Sequence, residues 1–197
     1  LTPLKLQYKD FSHWQGSETC REGLGRQKAY WLKQLGGEIP ALNLPLDFPG
    51  PIVRGFGGRH VELEPAAAET AALKELAGSE GATLYMVLLS IYAILLSRLG
   101  GREEIFIGAP IAGRGHADWH NVIGMFVNTL VLPINPGREK KYRDFLKQVK
   151  GLTLAAFENQ DYPFEDLVEQ LGAAGHTGGG HNPLFDAAFI FQNIEIP

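Results

Sequence analysis

Cysteine is almost missing from this chain. Cys20 stands alone among 197 residues, so no internal disulfide forms and no multi-cysteine metal site is assembled. A reducing compartment, the cytoplasm, is the default expectation for such a chain. Excess basic charge is missing too. Eighteen Lys and Arg against 22 Asp and Glu leave a net charge of -4, with no electrostatic footprint for nucleic acid. The short run Arg138, Lys140, Lys141, Arg143 reads as a solvated surface patch. No apolar run reaches the ~20 residues of a membrane helix. The longest, Leu84 to Leu96, contains Tyr85, Ser90 and Tyr92 and is followed by Arg98, and it reads as a helix buried inside a domain rather than a membrane span. Leu1 to Lys5 has neither the basic start nor the apolar stretch of a signal peptide, and no initiator Met, as expected of a piece of something longer.

What remains is an ordinary globular composition, 45% hydrophobic and 20% charged, in a length that fits one domain or a large part of one. Residues 8–14 are aromatic-rich, helical or a tight turn. The spacing of Leu24, Tyr30, Trp31 and Leu35 predicts a helix over 22–35, stopped by Gly36-Gly37. Residues 37–58 read as an extended, surface-hugging loop. Alternation over His60–Glu64 predicts a strand, and Pro65 a helix opening at its first position and running to about Ala77. Thr83 is a candidate cap for the apolar helix that ends at Gly100-Gly101. Strands are expected over 105–109 and 126–134, helices over 142–157 and 164–171, a glycine-rich flexible loop over 172–181 and an apolar strand over 185–191. Strands alternating with helices define an α/β layered architecture. A final strand apolar on both faces calls for further partners, so the chain is expected to be truncated at both ends.

No nucleophile is assembled by local spacing. His116 and His120 are four apart, as helical metal ligands are, but no third ligand accompanies them and no metal is expected. Three segments are more informative. In Ile123-Gly124-Met125-Phe126-Val127-Asn128-Thr129, two polar side chains enter an apolar strand on opposite faces. A buried amide such as Asn128 needs either internal partners or a wet channel, and the sequence leaves both open. In Asn159-Gln160-Asp161-Tyr162-Pro163-Phe164-Glu165, Asp161 is placed to cap a helix begun by Pro163. His181-Asn182-Pro183-Leu184-Phe185 is a loop entering a strand. Arg114, at a strand end between Gly113 and Gly115, is either solvent-facing or paired, since burying a guanidinium alone is very costly.

In order and spacing these three segments resemble the late core motifs of condensation domains of nonribosomal peptide synthetases. Tyr8-Lys9-Asp10-Phe11-Ser12-His13-Trp14-Gln15 resembles that family's Tyr-x-Asp-aromatic motif, and Ala109-Pro110-Ile111-Ala112-Gly113-Arg114 its strand-end arginine. The family's His-His-x-x-x-Asp-Gly signature occurs nowhere in this sequence. The resemblance implies a C-terminal lobe, residues 1–197, of a two-lobe chloramphenicol-acetyltransferase-like fold with a mixed sheet flanked by helices. It implies amide-bond formation between thioesters carried on phosphopantetheine, with no cofactor bound directly and no activity of this piece alone. The implied partners are the N-terminal lobe, donor and acceptor peptidyl carrier domains and an adjacent adenylation domain, with neither nucleic acid nor membrane among them. It makes Met125, Asn128, Tyr162 and Asn182 substrate-tunnel candidates, and Tyr8 and Trp14 lobe-packing residues. Arg114 becomes the ion-pair partner of the signature's aspartate. A non-catalytic module that docks carrier domains, or a lobe of a stand-alone coenzyme A acyltransferase, is the alternative.

Overall fold

A computed structural model of the protein describes residues 4–48, 57–172 and 182–192. Along them run α1 (Tyr8–Gln15), α2 (Glu18–Gly23), α3 (Gly25–Leu35), α4 (Ala67–Ser79), α5 (Leu84–Gly100), β1 (Ile105–Ile111), a 3-10 turn (Ala117–Trp119), β2 (Asn128–Ile134), α6 (Tyr142–Glu158), α7 (Phe164–Gln170) and β3 (Ala187–Ala188). The sheet is mixed, in the order β2-β1-β3. β1 pairs antiparallel with β2, from Ile105 opposite Ile134 to Ile111 opposite Asn128, and parallel with β3. α5 and α6 pack on one another and on the sheet, and α3 packs on α7. The expected α/β architecture, a mixed sheet flanked by helices, is the observed one.

The core follows from the apolar pattern. Trp31 and Leu35 of α3, Leu89 of α5, Ile107 of β1, Leu132 of β2 and Val149 of α6 are buried in one cluster. Each such side chain stabilises the fold by about 1.5–3 kcal/mol through burial. α5 begins as expected, with the Thr83 hydroxyl accepting from the Met86 N–H at 3.3 Å. It ends at Gly101 in the left-handed region, φ 63°.

Four expectations need correction. The single helix over 22–35 is two, because Ser17 caps a separate α2 by accepting from the Cys20 N–H, and the chain turns at Leu24 between Gly23 and Gly25. His60–Glu64 forms no strand. Val61 and Leu63 are exposed there, and alternation without a partner strand does not make a ladder. Pro65 lies outside α4, whose first turn is closed by Glu69 accepting from the Ala66 N–H. The strand expected over 185–191 shrinks to Ala187–Ala188. Its aromatic residues are apolar for another reason: the Phe185 ring covers Gly108, where a Cβ would meet it at 2.4 Å, and Phe189 packs on Tyr85 and Tyr92 of α5. Most of the glycine-rich loop, residues 173–181, lies outside the described residues.

Candidate functional site

The turn at 159–163 is bolted down by three side chains from two elements, α3 and β2. The Trp31 indole N–H donates to the Asn159 carbonyl at 2.8 Å. Gln27, one turn earlier on α3, accepts from the N–H groups of Asp161 and Tyr162 and donates to the Asp161 carboxylate. Asn128, the first residue of β2, donates to the carbonyls of Gln160 and Tyr162, both at 2.8 Å. Its Oδ1 accepts from Thr129 N–H at 2.8 Å and Phe164 N–H at 3.1 Å. The amide of Asn128 is thereby saturated, and the internal-bonding alternative describes its polar end. Asp161 does not cap α7; the N-cap residue is Pro163, and the orphan N–H of Phe164 is taken by Asn128 from the neighbouring strand.

Beside this turn lies an aromatic platform. Phe11 of α1 packs on Phe126, Trp119 and Tyr8 with ring centroids 4.6, 4.9 and 5.8 Å away, and Trp14 lies 5.5 Å from Trp119. Tyr8 donates its hydroxyl to the Met125 carbonyl at 2.9 Å and lies edge-on to Phe126. Gly124 makes this possible, since a Cβ there would sit 2.2 Å from the Tyr8 ring. Arg114 closes the platform from the other side, its guanidinium 4.4 Å from the Phe126 centroid. It donates to the carbonyls of Trp119, Val122 (2.8 Å) and Gly124 (3.3 Å). Among the described residues, therefore, Arg114 is neither aimed at bare solvent nor held by a carboxylate. It staples its own loop with three of its five N–H groups, and the other two have no partner among the described residues.

Turn and platform together enclose a cavity of about 250 Å³, with Tyr8, Trp14, Met125, Asn128 and Asp161 in its wall. Met125 is 76% exposed, and Ile123 and Val127 beside it are exposed as well, while Val122 and Phe126 are buried. The structure thus brings Met125, Asn128, Tyr8 and Trp14 together, with Arg114 behind the platform. It separates the other two tunnel candidates from them. Tyr162 has its ring in the main core, where burial pushes its phenol upward in pKa, followed by the charges of Asp166 and Glu169. Asn182 lies in the wall of a different cavity, with Arg102, Phe106 and Asp186, and accepts from the Leu184 N–H at 3.0 Å.

Sequence reasoning missed Gln27 and Trp119. Gln27 looks like any polar residue on a helix, and only the fold brings it to a turn 134 residues away. Trp119 had one signal, an aromatic among polar loop residues. Cys20 is buried in the cavity wall, and burial first, then the nearby Asp161 charge, raises its thiol pKa. Among the described residues no three His, Cys, Asp or Glu side chains are grouped to hold a metal ion. His116 instead accepts from the Asp118 N–H at 3.3 Å.

An α/β fold built on a mixed sheet, with an aromatic platform and a bolted turn at one sheet end, is the class of structure these observations define. The chain belongs to the condensation-domain family, whose model matches residues 1–196. It is 48% identical over 195 residues to tyrocidine synthase 3 of Brevibacillus parabrevis, covering 99% of this chain and 3% of that protein. It is 45% identical over 196 residues to surfactin synthase subunit 1 of Bacillus subtilis (strain 168), covering all of this chain and 5% of that one. Among solved structures, the X-domain of teicoplanin biosynthesis in complex with OxyB matches with a TM-score of 0.85 and 23% identity, over 95% of this chain and 42% of the other. A four-domain nonribosomal peptide synthetase bound to AMP and glycine matches with a TM-score of 0.82 and 24% identity, over 87% of this chain and 13% of that one. These two likenesses establish the fold.

Proposed function

We propose that the chain works as one lobe of a condensation domain in a nonribosomal peptide synthetase, walling and shaping the space in which carrier-bound thioesters are joined by an amide bond. The observation that carries this reading is the apolar ladder Ile123, Met125, Val127, exposed beside a cavity on which three distant motif segments converge. Such a ladder is built to be covered, and a second lobe is the cover this reading assigns. Its span of 42% of the X-domain chain accords with a single lobe.

In the reaction, the acceptor amine attacks the donor thioester carbonyl through a tetrahedral centre. A C–N bond forms, the C–S bond breaks, and the thiol leaves with the amine's proton. The histidine that assists this attack belongs to the signature of the other lobe. Phosphopantetheine arms of the donor and acceptor carrier domains deliver the substrates and are substrate here, not resident cofactor; an adjacent adenylation domain supplies the activated amino acid. This chain's contribution is positional. Tyr8 fixes the Met125 carbonyl, Asn128 fixes the 160–164 turn, and Arg114 holds the 119–124 loop while offering its two remaining N–H groups to the signature's aspartate.

The test uses the parent synthetase with aminoacyl-loaded donor and acceptor carriers. The intact domain makes dipeptide and the 197-residue chain alone makes none. Arg114→Lys keeps the charge but loses the bidentate fork, and the intact domain carrying it loses condensation at a folded fraction checked by melting. Turnover by the isolated chain overturns the reading. Carrier binding without product in the intact parent assigns it instead to a docking module.

A further inference from the structure

The antiparallel register of β1 and β2 has a second consequence, at the opposite end of the sheet from Asn128 and Arg114. Ile105 pairs with Ile134, so the turn entering β1 and the turn leaving β2 lie side by side, about 20 Å from the platform across seven-residue strands. Between them and the C-terminal end of α5 opens a cavity of about 290 Å³. Four cations line it, Arg98, Arg102, Arg138 and Lys140, against a single carboxylate, Glu103. In a chain of net charge -4 this is a local reversal of sign, gathered from segments some 40 positions apart.

Neither rim is arbitrary. Gly101 and Gly137 both adopt the left-handed region, φ 63° and 62°, and shape the two turns. The Ser97 hydroxyl donates to the Arg102 carbonyl at 2.5 Å, tying one rim to α5. Lys140 donates to the Asn135 carbonyl and to Gln148, fixing the other rim. The arginines are not spent in this way: among the described residues, the side chains of Arg98, Arg102 and Arg138 form no ion pair, hydrogen bond or ring contact. Arg114 and Arg143, by contrast, are committed, to carbonyls and to Glu80. Like charges around a concave, low-dielectric wall focus potential and concentrate anions there. Three planar forks present more donors than the two oxygens of a carboxylate accept, whereas a phosphate monoester offers three terminal oxygens and two charges. Ile94, Tyr142 and Phe145 line the same cavity with apolar surface, suited to a stem on the ester.

We propose that this cleft is a binding site for an organic phosphate monoester, separate from the condensation site. Titration of the chain with phenyl phosphate, inorganic phosphate, phenol and benzoate tests it, read by calorimetry and by backbone amide shifts. Phenyl phosphate is expected to bind most tightly, to perturb the 98–103 and 136–142 amides, and to weaken as salt rises. The double variant R102S/R138S should weaken it at least tenfold with unchanged melting. R102K/R138K, which keeps both charges and guards against a folding defect, should weaken it severalfold by losing the forks. Benzoate binding as tightly as phenyl phosphate, shifts confined to the Met125 end, or full affinity in either double variant overturns the proposal.

Discussion

Four hydrogen bonds converge on the Asn128 amide, two given and two received, and this fixes what its removal does. Asn128→Ala leaves two carbonyls and the N–H groups of Thr129 and Phe164 without that partner at a half-buried site. The expected loss is about 1–3 kcal/mol, since orphaning a buried polar group costs more than the bond was worth. Urea unfolding measures it. If stability is unchanged while condensation falls, Asn128 acts on substrate rather than on the turn. Gly113 carries a sharper constraint. Its φ is 64°, and a Cβ would lie 1.7 Å from the Phe126 carbonyl oxygen. Gly113→Ala must therefore move the Phe126 strand entry or unseat Arg114, and the variant should lose the near-ultraviolet dichroism of the packed Phe11, Trp119 and Phe126 rings. A spectrum and melting point like the parent's would contradict the geometry.

Helices with a strong apolar stripe or a side-chain cap are legible from sequence. α5 with its Thr83 cap and Gly101 stop, and α6 with Phe145 and Val149 on its buried face, fall where periodicity places them. The failures share a cause, which is that long-range partners decide. Val61 and Leu63 alternate like a strand but have no ladder to join, and Phe185 and Phe189 are apolar because they pack on Gly108 and the α5 tyrosines. Of the candidate site, the motif segments were legible, but the assignment of Tyr162 to the wall was not, since nothing local says which face of a turn a ring takes. The burial of tyrosines on α3 and α5 has a pH consequence. Burial pushes the Tyr85 phenol up to about 12 and raises Tyr30 and Tyr92 for the same leading reason. In the unfolded chain these phenols ionise near 10, so above that pH the unfolded state sheds protons the folded state keeps. Stability is therefore complete below pH 10 and falls as pH rises toward 12. Urea midpoints across this range should show the decline, and Tyr85→Phe should flatten it. An unaltered slope in Tyr85→Phe would place the titration elsewhere.

At the scale of the molecule, two rows of exposed apolar side chains stand out among the described residues. Ile91, Leu95 and Leu99 form a stripe along α5 at successive fourth positions, each 41–51% exposed. Ile123, Met125 and Val127 form the ladder beside the cavity. Scattered exposed hydrophobics are ordinary, but rows of this kind mark surfaces that meet another body. Under the proposed reading, the preceding lobe of the same domain covers the ladder. The chain on its own is then expected to self-associate with rising concentration in sedimentation velocity. Weakening on cooling separates hydrophobic association from charge pairing, because apolar burial loses strength at low temperature. The separately expressed upstream lobe should suppress the self-association by competing for the ladder, and should protect the 122–127 amides from hydrogen exchange. The double substitution Ile123→Ser with Val127→Ser should reduce both the self-association and the capture of that lobe, while the buried Phe126 keeps the platform intact. A chain that stays monomeric at high concentration, or an upstream lobe that binds without protecting these amides, would remove the ladder as the lobe contact.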